Sequence, residues 1–207
     1  MGKKSKSASH WRQIQRKDPY FEKALSEGWR SRAVYKLEEI HVVFTLFKHG
    51  MQCVDLGSSP GGWSQLAVKL VGSEGKIWAM DQQIMEPISG VEFLLGDFTD
   101  QASVTLFQSH IKDVSIDLVM SDMAPNISGN RVVDQARAMN LAEDAFRFAI
   151  ETLNEGGSFL TKLFQGEGFE EFIGVAKQHF ESVRIFKPKA SRSESREVYM
   201  LARTYGI

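Results

Sequence analysis

The sequence predicts an α/β protein with a mostly parallel sheet covered by helices on both faces. After Gly50, short apolar runs alternate with helix-like segments, the order that builds a parallel sheet through crossover helices. The runs are continuously apolar rather than alternating, which suits strands buried on both faces. Most of them stop at Asp, Gly or Ser, residues that favour the turn leaving a strand.

Taken in order, the elements run as follows. A helix is expected from Arg30, where Ala33, Leu37, Ile40, Phe44 and Phe47 recur at helical spacing and would share one face. Met51–Leu56 reads as the first strand, followed by a Gly/Ser/Pro turn and a helix over 63–71. Lys76–Met80, Val91–Leu95 and Ile116–Met120 read as strands two to four, with a helix over 100–112 between the last two. A long helix is expected over 134–153, closed by Asn154-Glu-Gly-Gly157. Ser158–Phe164 reads as a fifth strand and 168–180 as a helix. Ser182–Lys187 and Arg196–Arg203 read as late strands, the second alternating Val198, Met200 and Ala202.

The 207 residues suffice for one core of ordinary size. Residues 30–207 are expected to form a single domain. Residues 1–29 are expected to form a basic, partly disordered tail, its first ten residues having little to bury. No apolar run approaches the ~18–20 residues of a membrane span, and no apolar segment follows the basic start as in a secretory signal; a cytoplasmic protein is expected. The lone Cys53 excludes an internal disulfide and suits a core position. The histidines, His10, His41, His49, His110 and His179, lack ligand-like spacing, so no metal is predicted.

A net charge of −1 hides a strong asymmetry. Residues 1–36 carry a balance of +7 and residues 184–207 a balance of +4, against −12 for the stretch between them. Basic ends around an acidic centre suit either a nucleic-acid-facing surface or simply solvated tails. Lys3, Lys4, Arg12, Arg16, Arg30, Arg32, Arg192 and Arg196 are the candidate RNA contacts, with Trp11, Tyr20 and Trp29 interleaved for stacking.

The strand ends carry the chemistry. Asp55-Leu-Gly-Ser-Ser-Pro-Gly-Gly-Trp63 leaves the first strand and opens a helix, and Gly57, Gly61 and Gly62 permit close backbone approach to a ligand. The glycine spacing is not that of a dinucleotide-binding turn, and a pyrophosphate would not favour so many carboxylates. Asp55, Asp81, Asp97 and Asp122 suit a ligand with cationic and hydroxyl groups, which S-adenosylmethionine has. Asp81, 20 residues beyond Gly61, is placed to accept from a ribose diol. Asp97 could accept from the adenine amino group. Asp55 and Asp122 could face the ammonium directly or through water, and Trp63 could wall the pocket. Each aspartate alone could equally cap its own turn.

Lys162 interrupts an apolar strand, and a charge there is costly unless paired or exposed. Burial and neighbouring cations favour the uncharged amine of a lysine, the form a general base needs. Catalysis and a structural pairing with Asp122 are both open. Lys36, among Arg30, Arg32 and Tyr35, also fits a solvated helix face; Glu197, among Arg192, Arg196 and Tyr199, also fits a surface ion pair.

Through nearly its whole length the chain resembles the FtsJ/RrmJ-like (RlmE-type) family of large-subunit ribosomal RNA 2′-O-ribose methyltransferases. The resemblance rests on Arg30-Ser-Arg-Ala-Val-Tyr-Lys-Leu37, Asp55-Leu-Gly-Ser-Ser-Pro-Gly-Gly-Trp-Ser64, Gly96-Asp97, Ser121-Asp-Met-Ala-Pro-Asn-Ile-Ser-Gly129, Phe164-Gln-Gly-Glu-Gly-Phe169 and Ser195-Arg-Glu-Val-Tyr199. It implies a Rossmann-like, seven-stranded methyltransferase fold with a final antiparallel strand. It implies a catalytic tetrad of Lys36, Asp122, Lys162 and Glu197, and an S-adenosylmethionine site at Gly61, Trp63, Asp81, Asp97 and Asp122, to which Asp55 and Gly57 are added from the turn itself. The implied substrate is a uridine ribose of large-subunit RNA in an assembled or nearly assembled subunit, and the chain is expected to act as a monomer without metal. Ser58-Ser59 departs from the two alanines frequent in the family, and Asp81-Gln-Gln-Ile-Met-Glu86 from a more apolar stretch with proline. Transfer RNA, an mRNA cap, or a non-catalytic role in ribosome assembly are the rival readings.

Overall fold

The computed structural model describes residues 18–206. The expected disorder of residues 1–10, and the candidate contacts Lys3, Lys4, Trp11, Arg12 and Arg16, lie outside the described residues. Seven strands form one sheet: β1 (Gln52–Leu56), β2 (Lys76–Asp81), β3 (Val91–Leu95), β4 (Ile116–Ser121), β5 (Leu153–Phe164), β6 (Phe180–Phe186) and β7 (Glu197–Tyr205). Their order is β3-β2-β1-β4-β5-β7-β6. Pairings from β3 through β5 are parallel, and β7 runs antiparallel to both β5 and β6. This is the Rossmann-like arrangement, with the antiparallel strand inserted rather than at the edge.

Helices α1 (Pro19–Ser26), α2 (Val34–Phe44) and α3 (Gly62–Val71) cover one face; α4 (Gln101–Ile111), α5 (Arg131–Thr152) and α6 (Phe169–Ala176) cover the other. The strands feed both cores by alternation. Cys53, Ile77, Leu118, Leu160 and Tyr199 face the α1–α3 side. Val54, Trp78, Val119, Phe159 and Met200 face the α4–α6 side. Both sets are buried, which is why the strands read as continuously apolar. Among the described residues no helix is long and apolar enough to cross a membrane.

Several boundaries differ from the sequence expectation. Pro19–Ser26, assigned above to the tail, forms α1: Asp18 caps it by accepting from Tyr20 N at 3.1 Å, proline occupies its first turn, and Ala24 is buried against the core. Arg30 precedes α2 rather than starting it, because Ser31 Oγ accepts from Ala33 N in a local turn. Thr45, at φ 51°, ends α2, so Phe47 reaches the core from outside the helix. β5 starts at Leu153, directly after α5; Asn154-Glu-Gly-Gly157 belongs to the strand, whose register shifts against β4 between Ile116 and Leu118. Helix α6 stops at Ala176, and Phe180 already belongs to β6.

Candidate active site

A cavity of about 590 Å³ opens where β1, β2, β3 and β4 end, within the size range of small-molecule sites. Gly57, Asp81, Asp97 and Asp122 line it. Gly57 is required twice over: its φ is 76°, and a Cβ there would come within 2.6 Å of Met123 Cγ. Asp81 accepts from Ser59 N at 2.9 Å and from Gln83 N at 2.7 Å, so the carboxylate is held by both flanking loops with acceptor capacity left over. Asp97 Oδ1 accepts from Thr99 N and Oγ1, both at 2.8 Å. The long helix α5 closes the far side through Arg137, Asn140 and Asp144.

Asp55, Gly61 and Trp63 stand behind this wall rather than in it. Asp55 is buried on the α3 side and accepts from Ser64 Oγ at 2.6 Å, while its Oδ1 has no protein donor. Burial pushes the Asp55 carboxyl up to about 7 against the Ser64 hydrogen bond, and the charges of Asp122 and Asp81 add to the rise. The fold thus holds a proton that the unfolded chain, at its ordinary 3.8, releases. The stability from this group is present below pH 3.8 and is lost as pH rises to about 7. Asp55→Asn, which stays neutral and keeps an acceptor for Ser64, should therefore gain stability over the wild type between pH 5 and pH 8. Urea denaturation at the two pH values measures this; an equal difference at both would contradict it.

Trp63 is buried, donates from Nε1 to Ala33 O at 2.9 Å and packs on the Tyr199 ring at 5.8 Å. It ties α3 to the entry of α2.

The sheet brings the four candidate catalytic residues together. Ser121, last in β4, is in register with Thr161 of β5, so Asp122 emerges beside Lys162. Lys162 lies opposite Tyr199 across the antiparallel β5–β7 ladder, and Glu197, two residues earlier, shares that face. The face is the one covered by α2, which carries Lys36. Lys162 Nζ donates to Asp122 O at 2.5 Å and pairs with Asp122 Oδ1 at 3.2 Å. Lys36 Nζ pairs with Glu197 Oε1 at 2.6 Å.

Tyr199, to which the sequence reading gave no role in the site, is the hub between these pairs. It is fully buried, its hydroxyl donates to Asp122 Oδ1 at 2.6 Å, and Lys36 Nζ lies 5.7 Å from its ring. Burial raises the Asp122 carboxyl, but Lys162, Lys36 and the Tyr199 hydroxyl outweigh it and hold Asp122 below its ordinary value. Burial, Asp122 and Glu197 push the Tyr199 phenol well above its ordinary range, so it stays a donor. Ser191 Oγ adds a 2.8 Å hydrogen bond to Glu197 Oε1, and Glu39, one turn after Lys36, accepts from Lys189 N and Ala190 N. Glu39 was missed because it acts on a loop about 150 residues away along the chain, and Ser191 because nothing local shows that its loop folds back onto Glu197.

Among the described residues, the candidate RNA contacts Arg30, Arg32 and Arg196 are engaged within the protein. Arg32 pairs with Asp18 and donates to Ala190 O. Arg196 Nη1 donates to Gln165 O at 3.0 Å, and Arg30 is bound to three carbonyls. Tyr20 packs on Tyr35 at 5.5 Å, and Lys69 lies 4.0 Å over the Trp29 ring.

A family model described as FtsJ-like methyltransferase matches residues 29–205. Two curated relatives named ribosomal RNA large subunit methyltransferase E, from Xanthomonas campestris pv. campestris (strain B100) and Xanthomonas oryzae pv. oryzae (strain PXO99A), are each 50% identical over 201 residues. That alignment covers 97% of this chain and 96% of each relative. Among solved structures, a Plasmodium falciparum protein described as a ribosomal RNA methyltransferase is 27% identical with a TM-score of 0.77, over 86% of this chain and 98% of its own. A Clostridium thermocellum protein described as an rRNA-methylase is 17% identical with a TM-score of 0.54, over 81% of this chain and 96% of its own, and shares the fold. The family match takes in every strand of the sheet, and the chain belongs to the FtsJ-like methyltransferase family.

Proposed function

We propose that this methyltransferase transfers the methyl group of S-adenosylmethionine to a uridine ribose 2′-hydroxyl of large-subunit ribosomal RNA, in the assembled or nearly assembled subunit. It works as a monomer in the cytoplasm, without metal. The observation that carries the reading is Lys162 held by Asp122 at the lip of the cavity, with Lys36 and Glu197 beside them around Tyr199. The relatives' 50% identity and their name support the RNA class.

The residues present fit the cofactor. Asp81 has acceptor capacity left for a ribose diol, Asp97 lies in the same wall for the adenine amino group, and the bare Gly57 backbone leaves room for close approach. When bound, S-adenosylmethionine supplies a methyl group on a cationic sulfur and leaves as the neutral thioether. Lys162, in its uncharged form, takes the proton of the attacking 2′-hydroxyl as oxygen bonds the methyl carbon. Asp122 orients Lys162, while Lys36 places the ribose and Glu197 holds Lys36. Alignment of oxygen, carbon and sulfur supplies much of the rate. Lys3, Lys4, Arg12 and Arg16, with Arg192 and the outward parts of Arg32 and Arg196, contact RNA phosphates, so affinity falls steeply with salt.

Labelled methyl transfer from S-adenosylmethionine to large ribosomal subunits lacking the modification tests the reading. Label at one ribose, mapped by resistance of the next phosphodiester to alkali, is the expected result. Cofactor binding without label on subunits would move the substrate to another RNA.

A further inference from the structure

Arg30 looks, in sequence, like one more cation of a basic stretch, yet its guanidinium faces the protein. Nη1 donates to Pro60 O at 3.4 Å and to Glu86 O at 2.6 Å, and Nη2 donates to Pro87 O at 3.0 Å. Its backbone N donates to Gln65 Oε1 of α3 at 2.9 Å. One side chain therefore joins the glycine turn after β1 to the loop after β2. These two loops also meet directly. Gly61, at φ 108°, has no space for a side chain, since a Cβ would approach Ile88 Cδ1 and Met85 Sδ to 2.9 Å and Arg30 Nη1 to 3.2 Å.

Both loops carry cavity-lining groups. Gly57 and Ser59 come from the first; Asp81, Gln82 and Gln83 come from the second and its strand. The bond from Ser59 N to Asp81 Oδ2 crosses the same junction from the cavity side. Arg30 closes it from outside. Carbonyls at turns have no ladder partner, and a planar guanidinium can satisfy several of them at fixed angles. Of the loop after β2, it holds the carbonyls of Glu86 and Pro87. The Gln83 N bond to Asp81 and the buried Met85 fix the start of this loop, and Arg30 fixes its end at Glu86 and Pro87.

We infer that Arg30 is a positioning residue for the cofactor-binding turn rather than a contact to RNA. The inference rests on the reading of the cavity as an S-adenosylmethionine site. Without Arg30 the two loops part, Asp81 loses its fixed relation to Gly57, and the cavity must be ordered by its ligand at a cost in affinity. A lysine keeps the charge but presents a single ammonium, which cannot span three carbonyls in two directions.

Two measurements on the full chain test this: calorimetric titration with S-adenosylhomocysteine, and filter binding of a labelled single-stranded RNA oligonucleotide at one salt concentration. Arg30→Ala is expected to weaken S-adenosylhomocysteine binding by about tenfold, the scale of losing hydrogen bonds from a charged donor. Arg30→Lys should fall between the two, and if the alanine variant does not fold, the lysine variant carries the comparison. RNA affinity should stay within about twofold for both, because the donors in question face carbonyls rather than solvent. Failure of the wild type to bind S-adenosylhomocysteine overturns the cofactor reading and the inference with it. A wild type that binds, with both variants equal to it, overturns the inference alone. So does a variant that loses RNA affinity while keeping the nucleoside, or one that loses both equally, as general loosening would.

Discussion

Lys162→Ala is expected to lower the rate of methyl transfer in a single turnover by about a thousandfold, within the range that a positioned general base contributes. Affinity for S-adenosylhomocysteine should stay within about twofold of the wild type, because Gly57, Asp81 and Asp97 line the cavity and Lys162 does not. The contrast between rate and affinity is the informative quantity. Labelled S-adenosylmethionine, excess enzyme and unmodified subunits give the first; calorimetry gives the second. Near wild-type turnover would mean that another group, or water, takes the proton.

Asp122→Ala should be the most destabilising change in the tetrad, by about 3 kcal/mol, because it strands the Lys162 ammonium with one partner removed. The Lys162 and Asp122 side chains are 6% and 19% exposed, so water replaces little of what is lost. The Tyr199 hydroxyl, fully buried, also loses its acceptor. Adding Lys162→Met removes the stranded charge, and the double variant should recover roughly half of the loss. Urea denaturation of the two single variants and the double closes the cycle. A double variant less stable than Asp122→Ala would show that the lysine stem, and not its charge, carries the packing.

The strands were legible because burial on both faces leaves continuous apolar runs, and because Asp81, Asp97 and Asp122 mark where strands end at the cavity. Helix α1 was not legible. Its eight residues bury only Ala24, and an Asp18 cap looks like any turn aspartate without its tertiary support. The early start of β5 was hidden because Gly156 and Gly157, read as a helix stop, lie within a strand that shifts register. In the site, residue types were readable and proximity was not. Nothing local connects Lys36 with Glu197; the meeting depends on β7 lying beside β5. Arg30 and Arg32 show the limit of counting charge, since a positive balance predicts where charge sits along the chain and not which way a guanidinium turns. Family resemblance supplied the tetrad, while the ladder between Lys162 and Tyr199 supplies the physical reason for it.

The insertion of β7 between β5 and β6 makes the order of synthesis differ from the order of closure. A growing chain that has emerged through β6 lacks the strand that joins β5 to β6 and holds half of the proposed catalytic cluster. Asp122 and Lys162 are present, but Tyr199 and Glu197 have yet to arrive. The last strand is a keystone rather than a hem: it pairs with β6, its neighbour in sequence, and joins it to β5. Catalytic competence should therefore appear in one step when the C-terminal strand enters the sheet. A chain interrupted before Glu197 would keep Gly57, Asp81, Asp97 and Asp122 of the cavity wall while lacking Tyr199 and Glu197.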